Sequence, residues 1–258
     1  MKSSIVNAQK LIRKAHSRID VEIRIKHIRP EDLRFSAFHD AGWASRPDGS
    51  SQGGYMVFAC HKDLLDGKEA TISLIEWKSW KLKRVCRSSL SSECQAMAEA
   101  LDNLNFVRLF WEMLLGRLPS GLKIDQDSIL NEAPKCCLVT DCKGLFDAVN
   151  RSQSSGLGLS EKRTAIEALS IRQITAASNV AVKWVNSDRQ LADILTKQGV
   201  IPENLDRALR SGQWRIIFDE NFTSAKNLRK QARSGHFKKV QNTTVESLLA
   251  THFSRSRP

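Results

Sequence analysis

The sequence predicts an α/β fold with its elements in the order βββαβααβα, and three stretches carry that prediction. Residues 35–44 read as a strand covered on both faces, because Phe35 and Ala37 point one way and Phe38 the other. Two further strand-like stretches follow it through turn residues, which makes an antiparallel meander. After a long helical stretch, Cys136-Cys137-Leu138-Val139 is a short unbroken apolar run, the pattern of a strand buried on both sides.

Taken in order, residues 5–19 carry Ile5, Ala8, Leu11, Ile12, Ala15 and Ile19 at helical spacing among basic residues, an amphipathic basic helix. Pro30 closes this arm. The first strand runs into the turn Arg46-Pro47-Asp48-Gly49-Ser50-Ser51, and the second is expected at 54–61. A turn around Asp66-Gly67 leads to the third, at 70–77. The long helix opens with Ser91 or Ser92 as N-cap and reaches Leu115, with an inward stripe of Met97, Leu101, Leu104, Val107, Trp111 and Leu114. A polar loop with Pro119, Gly121 and Pro134 precedes the fourth strand, which ends at Asp141. Helices are expected from Lys143 and over 160–176, separated by a Ser/Gly linker at 152–158, and Val180, Val182 and Trp184 alternate on a last strand. Ser187-Asp188-Arg189-Gln190 has the form of a capping box opening a short helix with Leu191, Ile194 and Leu195 on its apolar face. Beyond Gly199 the periodicity fades. The expected organisation is therefore a basic helical arm over 1–33, a folded domain over 34–200 and a basic extension over 201–258.

An apolar content of 41% with six Trp and ten Phe supports a substantial core for 258 residues. No apolar run approaches the roughly 18 residues of a membrane span, and the first residues lack the apolar centre of a signal peptide. No membrane partner is expected. The six cysteines show no C-x₂-C spacing and the histidines no H-x₃₋₅-H spacing, so the thiols read as free, in a reducing intracellular compartment. The net charge of +12 is carried by the ends. Residues 1–30 hold eight Lys/Arg against two acidic residues, residues 201–258 hold eleven against five, and the stretch between them has twenty-one of each. Basic arms around a neutral middle point to a polyanion, with nucleic acid the fitting class.

Four carboxylates stand where an α/β sheet gathers its sites. Asp40 ends the first strand, on the same face as Phe38, and Asp141 ends the fourth; Glu93 heads the inward stripe of the long helix, and Asp193 lies on the last short helix. Four converging carboxylates cannot all stay ionised without a cation between them. Hard oxygen donors of this kind suit Mg²⁺, with Mn²⁺ as a substitute. Two such ions ~3.5–4 Å apart are a recurring device for cutting phosphodiesters.

Five runs in order carry a family resemblance: Phe38-His39-Asp40-Ala41-Gly42-Trp43-Ala44, Trp77-Lys78-Ser79, Ser91-Ser92-Glu93-Cys94-Gln95-Ala96-Met97-Ala98-Glu99-Ala100, Val139-Thr140-Asp141 and Gln190-Leu191-Ala192-Asp193-Ile194-Leu195-Thr196-Lys197. Together they resemble the ribonuclease H domain of copia-type LTR-retrotransposon Pol polyproteins, over residues 34–200. The resemblance implies an RNase H-like three-layer fold, with a mixed five-stranded sheet and helices on both faces. It also implies hydrolysis of the RNA strand of RNA–DNA hybrids with two Mg²⁺ ions, in a cytoplasmic virus-like particle or the nucleus. In that reading Asp40 bridges both ions, Glu93 and Asp141 hold the leaving-group ion with Glu93 also near a 2′-hydroxyl, and Asp193 holds the ion that activates water. The arm over 1–33 would be a remnant of a reverse transcriptase, itself an expected partner domain. Two departures matter. The fourth strand ends in Asp141-Cys142-Lys143, where copia elements usually have Asp-Asn-Gln, and the loop Val185-Asn186-Ser187-Asp188 lacks the histidine of many cellular ribonucleases H, as copia elements generally do too.

After the third strand, Trp77-Lys78-Ser79-Trp80-Lys81-Leu82-Lys83-Arg84 interleaves aromatics with cations, making Lys78, Trp80, Lys81, Lys83 and Arg84 candidate nucleic-acid contacts. A lysine-protected edge strand would read the same way. The rival functions are a catalytically silent nucleic-acid-binding module of the same fold and a DNA-directed nuclease resembling an integrase core. Carboxylates at all four positions favour an enzyme, because a binding module has no use for them.

Overall fold

The computed structural model describes residues 2–217 apart from 21, 118–125, 152–158, 160, 198 and 200–202. The described residues all fall within the first of the chain's two compact units. The Ser/Gly linker, Pro119 and Gly121, and the part of the basic extension from residue 218 onward lie outside the described residues.

The molecule is built on β1 (Leu33–Gly42), which is buried without a break from Phe35 to Gly42. It pairs antiparallel with β2 (Gln52–His61), and β2 pairs antiparallel with β3 (Ala70–Lys81). On its other side β1 runs parallel to β4 (Cys136–Thr140), and β4 runs parallel to β5 (Val180–Trp184). A two-residue strand, β6 (Gln213–Trp214), adds to β3, so the sheet has six strands in the order β5-β4-β1-β2-β3-β6. The meander and the last strand are as expected; the sixth strand is not.

Strict alternation along β1 separates two cores. Phe35 and Ala37 face α2 (Ser89–Leu114), α4 (Lys143–Asn150) and α5 (Lys162–Ala177), in a cluster with Met97, Leu101, Leu104, Leu145 and Ile171. Phe38 faces the opposite side, with Met56, Phe58, Leu74, Leu191, Trp214 and Ala208, the last on α6 (Glu203–Ser211). These are three layers, with the sheet in the middle and helices on both faces. Each fully buried Leu or Met on α2 contributes about 1.5–3 kcal/mol by leaving water.

Several local expectations are corrected. Ser88, not Ser91 or Ser92, caps α2 by accepting the Ser91 N–H, so the helix begins a turn early and Ser91 and Ser92 are buried inside it. Leu114 is 61% exposed, because a 26-residue helix outruns the sheet it packs on. β3 continues to Lys81, so most of the Trp/Lys run is strand rather than loop. The capping box at 187–190 does not form. Asn186 and Gln190 cap two 3₁₀ turns, Ser187–Arg189 and Leu191–Leu195, through their side-chain oxygens.

Packing also continues past residue 200. α6 and β6 cover the Phe38 side of the sheet, and Trp214 is buried there. α3 (Gln126–Glu132), a short helix before β4, was not foreseen either. α1 (Lys2–His16) is the expected basic helix, and its Ile5, Leu11 and Ile12 are exposed. Its arm meets the domain where Arg18 pairs with Asp206 and where the Lys26 N–H bonds Ser73 Oγ at 2.9 Å.

Candidate active site: carboxylates at the ends of β1 and β4

Asp40 is buried near the end of β1, on the Phe38 face, directly opposite Gly54 of β2. Gly54 decides what can cover it. A Cβ there would lie 2.5 Å from Leu195 Cβ and 3.0 Å from Thr196 Cγ2, so only glycine lets the turn Leu191–Leu195 lie down on the β1–β2 pair. Ser79, next in the same row across the sheet, fastens that turn by donating its Oγ to Leu195 O at 2.6 Å. The Thr196 hydroxyl consequently donates to Asp40 Oδ2, and Asp193 is delivered to the same place.

Asp141 follows β4. Ser187 Oγ donates to its Oδ2 at 2.7 Å, and Trp184 Nε1 donates to its carbonyl at 3.1 Å, fixing the end of β4 against β5. Oxygens of Asp40, Asp141 and Asp193 all lie within 4.8 Å of one another. Glu93 approaches from the other face of the sheet. Its carboxylate accepts from the Ala41 N–H, and its Oε2 is buried without a hydrogen-bond partner, 3.8 Å from His39 Nδ1. His39 is fully buried with both nitrogens unpartnered, and burial pushes its pKa down to about 3.

Electrostatics follow from this crowding. Burial first, then Asp40 and Asp141, raises the Glu93 carboxyl well above the ordinary range. Burial and Asp40 also raise Asp141, opposed by the Ser187 bond. Asp193 is pushed up to about 7 by burial and Asp40, although Lys197 opposes this. Among the described residues the cation in contact is Lys197, whose Nζ lies 2.7 Å from Asp193 Oδ1 and 3.3 Å from Asp40 Oδ1. Burial lowers this ammonium's pKa, and Asp40 and Asp193 more than reverse the effect, so it stays charged.

The structure thus gathers all four of the carboxylates singled out in the sequence, three within reach of one ion and Glu93 beside them. The donor set is entirely oxygen, and a buried carboxylate oxygen without a partner is costly unless something else satisfies it. Divalent cations of the Mg²⁺ class fit both observations. Sequence reasoning passed over Thr196, Lys197, Ser187 and Gly54. The first two sit inside the Leu-Ala-Asp-Ile-Leu-Thr-Lys run, and the Gly53-Gly54 pair at the head of β2 was the signal of a close approach.

The nucleic-acid candidates are not gathered on one face. Pairing through Tyr55 and Gly53 places Lys78 and Trp80 on the α2 side, where Lys78 bonds Glu99 at 2.5 Å and Trp80 packs edge-on against Tyr55. Lys81 points to the Asp40 side and bonds Asp48 at 2.7 Å; Arg84 bonds Glu167 of α5 at 2.9 Å, and Lys83 is exposed. Lys81, Lys83 and Arg84 line one groove together with Asp48 and Ser51. Trp77, in register with Met56 and Phe38, is an exposed aromatic on the Asp40 side.

No family model matches the chain, and no curated protein does. Among solved structures it is similar to the foamy viral protease–reverse transcriptase in complex with RNA/DNA hybrid, at 13% identity and a TM-score of 0.41, over 68% of this chain and 21% of that one. It is similar to LC11-RNase H1 in complex with RNA/DNA hybrid at 14% identity and a TM-score of 0.40, over 68% and 99%. For the PFV RNase H domain in solution the values are 11% and 0.36, over 70% and 91%. The chain spans about a fifth of the foamy viral protein and nearly all of LC11-RNase H1. The fold is RNase H-like by its own topology, a three-strand antiparallel meander with two parallel strands added on the β1 side.

Proposed function

We propose that the chain is a ribonuclease H-type nuclease that hydrolyses the RNA strand of RNA–DNA hybrids with two divalent cations, Mg²⁺ or Mn²⁺. We also propose that it derives from a copia-type retrotransposon polyprotein. The observation that supports this most is the convergence of Asp40, Asp141 and Asp193 oxygens within 4.8 Å, with the unpartnered Glu93 oxygen beside them. Bound cations supply a deprotonated water and a clamp on the leaving oxygen. Asp40 would hold both ions, Glu93 and Asp141 the one at the leaving group, and Asp193 the one that lowers the pKa of the attacking water. Thr196 and Ser187 steady Asp40 and Asp141 by donating to one oxygen of each carboxylate. Glu93 would in addition contact a 2′-hydroxyl of the RNA strand. Lys81, Lys83 and Arg84 would grip phosphates, a contact that carries no sequence information; Lys78 and Trp80 would support that strand from the α2 side.

A gel with each strand of a hybrid labelled in turn tests the reading. It predicts Mg²⁺-dependent cutting of the RNA strand, little sequence preference and an intact DNA duplex. Cutting of DNA would favour the integrase-like rival, and binding without any cutting in Mg²⁺ or Mn²⁺ would favour the silent module.

A further inference from the structure

The Lys197 ammonium stands where a cation bridging Asp40 and Asp193 would have to stand. Its Nζ touches one oxygen of each, at 3.3 and 2.7 Å, while a Mg²⁺ ion would sit ~2.0–2.1 Å from the same atoms. The two positive charges cannot share that space. The lysine is also held so that it can leave: its N–H bonds the Asp193 carbonyl at 3.0 Å, fixing the backbone, whereas the side chain is 39% exposed. Lys197 also lines a groove, with Ser45, Arg46, Gln52, Leu195 and Thr196, that leaves its side chain room to swing away from the carboxylates.

We propose that Lys197 is a tethered stand-in for the metal: it neutralises Asp40 and Asp193 while the site is empty of divalent ions and is displaced into the neighbouring groove when one binds. This rests on the metal-site reading above and adds regulation to it. Without a counter-charge, four crowded carboxyls relieve their repulsion by holding protons; one lysine supplies part of the counter-charge instead and, by competing, lowers the affinity for free metal. Loading then favours conditions in which something else, such as a substrate phosphate, receives the displaced ammonium.

Two measurements on the full chain test this without any cleavage assay. Calorimetric titration with Mn²⁺ should give Lys197→Met a dissociation constant roughly tenfold below that of the parent, with Lys197→Arg close to the parent and Lys68→Met, which removes the same charge far from the cluster, unchanged. Acylation of the parent read by mass spectrometry should find Lys197 protected in EDTA and reactive in Mg²⁺, which holds even if Lys197→Met folds poorly. Equal or weaker Mn²⁺ binding by folded Lys197→Met, or equal acylation in both conditions, would overturn the proposal. Absence of Mn²⁺ binding by both parent and variant would overturn the metal site itself. Tighter binding by Lys197→Met alongside a parent that cuts no RNA would uphold the stand-in and overturn only the nuclease.

Discussion

Asp193 shows how one residue can be singled out in the sequence while its surroundings stay hidden. It lies off the Leu191/Ile194/Leu195 face of its own short element, yet the turn it rides on is pressed onto β1 and β2, and it is largely buried against Asp40 and Lys197. Sequence periodicity describes a side chain's direction from its own element and is blind to what another element brings to meet it. The pH behaviour follows from that burial. A carboxyl whose pKa is raised on folding stabilises the fold only while protonated; the contribution is full below the ordinary value of about 4 and is lost as pH rises through the folded value. Glu93, Asp141 and Asp193 are all raised, Asp193 to about 7. In EDTA the parent's Tm should therefore fall relative to that of Asp193→Asn, which cannot ionise, as pH rises from about 4 to about 7, the folded value of Asp193. Mg²⁺ should restore the parent increasingly over the same interval. A Tm difference that does not change with pH in EDTA would contradict the account.

At the scale of elements, long strands and helices were legible because their periodicity spans many residues: β1, β2, α2 and β5 stand within a few residues of expectation. What was not legible is short and held from outside. β6 is two residues long and exists because Ala70 and Thr71 pair with Trp214 and Gln213. The turn Leu191–Leu195 likewise takes its place from Gly54 and Ser79 rather than from its own sequence. Gly54→Val tests this dependence. The added side chain should force the turn off the sheet, cost about 1–3 kcal/mol in denaturant unfolding, and weaken Mn²⁺ binding by displacing Asp193 and Thr196 together. A Gly54→Val chain with the parent's stability and Mn²⁺ affinity would mean that the turn is anchored elsewhere.

For the whole molecule, charge and fold divide the work. The described basic arm presents α1 with its apolar positions open, whereas the domain balances its charges internally and gathers its carboxylates, only partly offset by Lys197, at the carboxyl ends of β1 and β4. Excess negative charge inside a chain of net charge +12 has a chemical explanation if cations are meant to occupy it. The overall architecture was readable from the sequence because Asp40 and Asp141 end strands that their own neighbours define. The five-strand expectation fell short because residues beyond Gly199 add a strand by packing rather than by pattern.

The claim on which everything rests is that Asp40 is the common ligand of a metal-dependent phosphodiester-cleaving centre. Asp40→Asn keeps the shape and the acceptor for Thr196 while removing the charge at the middle of the cluster. Hydrolysis of a labelled RNA–DNA hybrid in Mg²⁺ should fall by roughly a thousandfold, about 4 kcal/mol of transition-state stabilisation, with the Tm in EDTA and hybrid binding close to those of the parent. Comparable turnover by the variant and the parent would contradict the account.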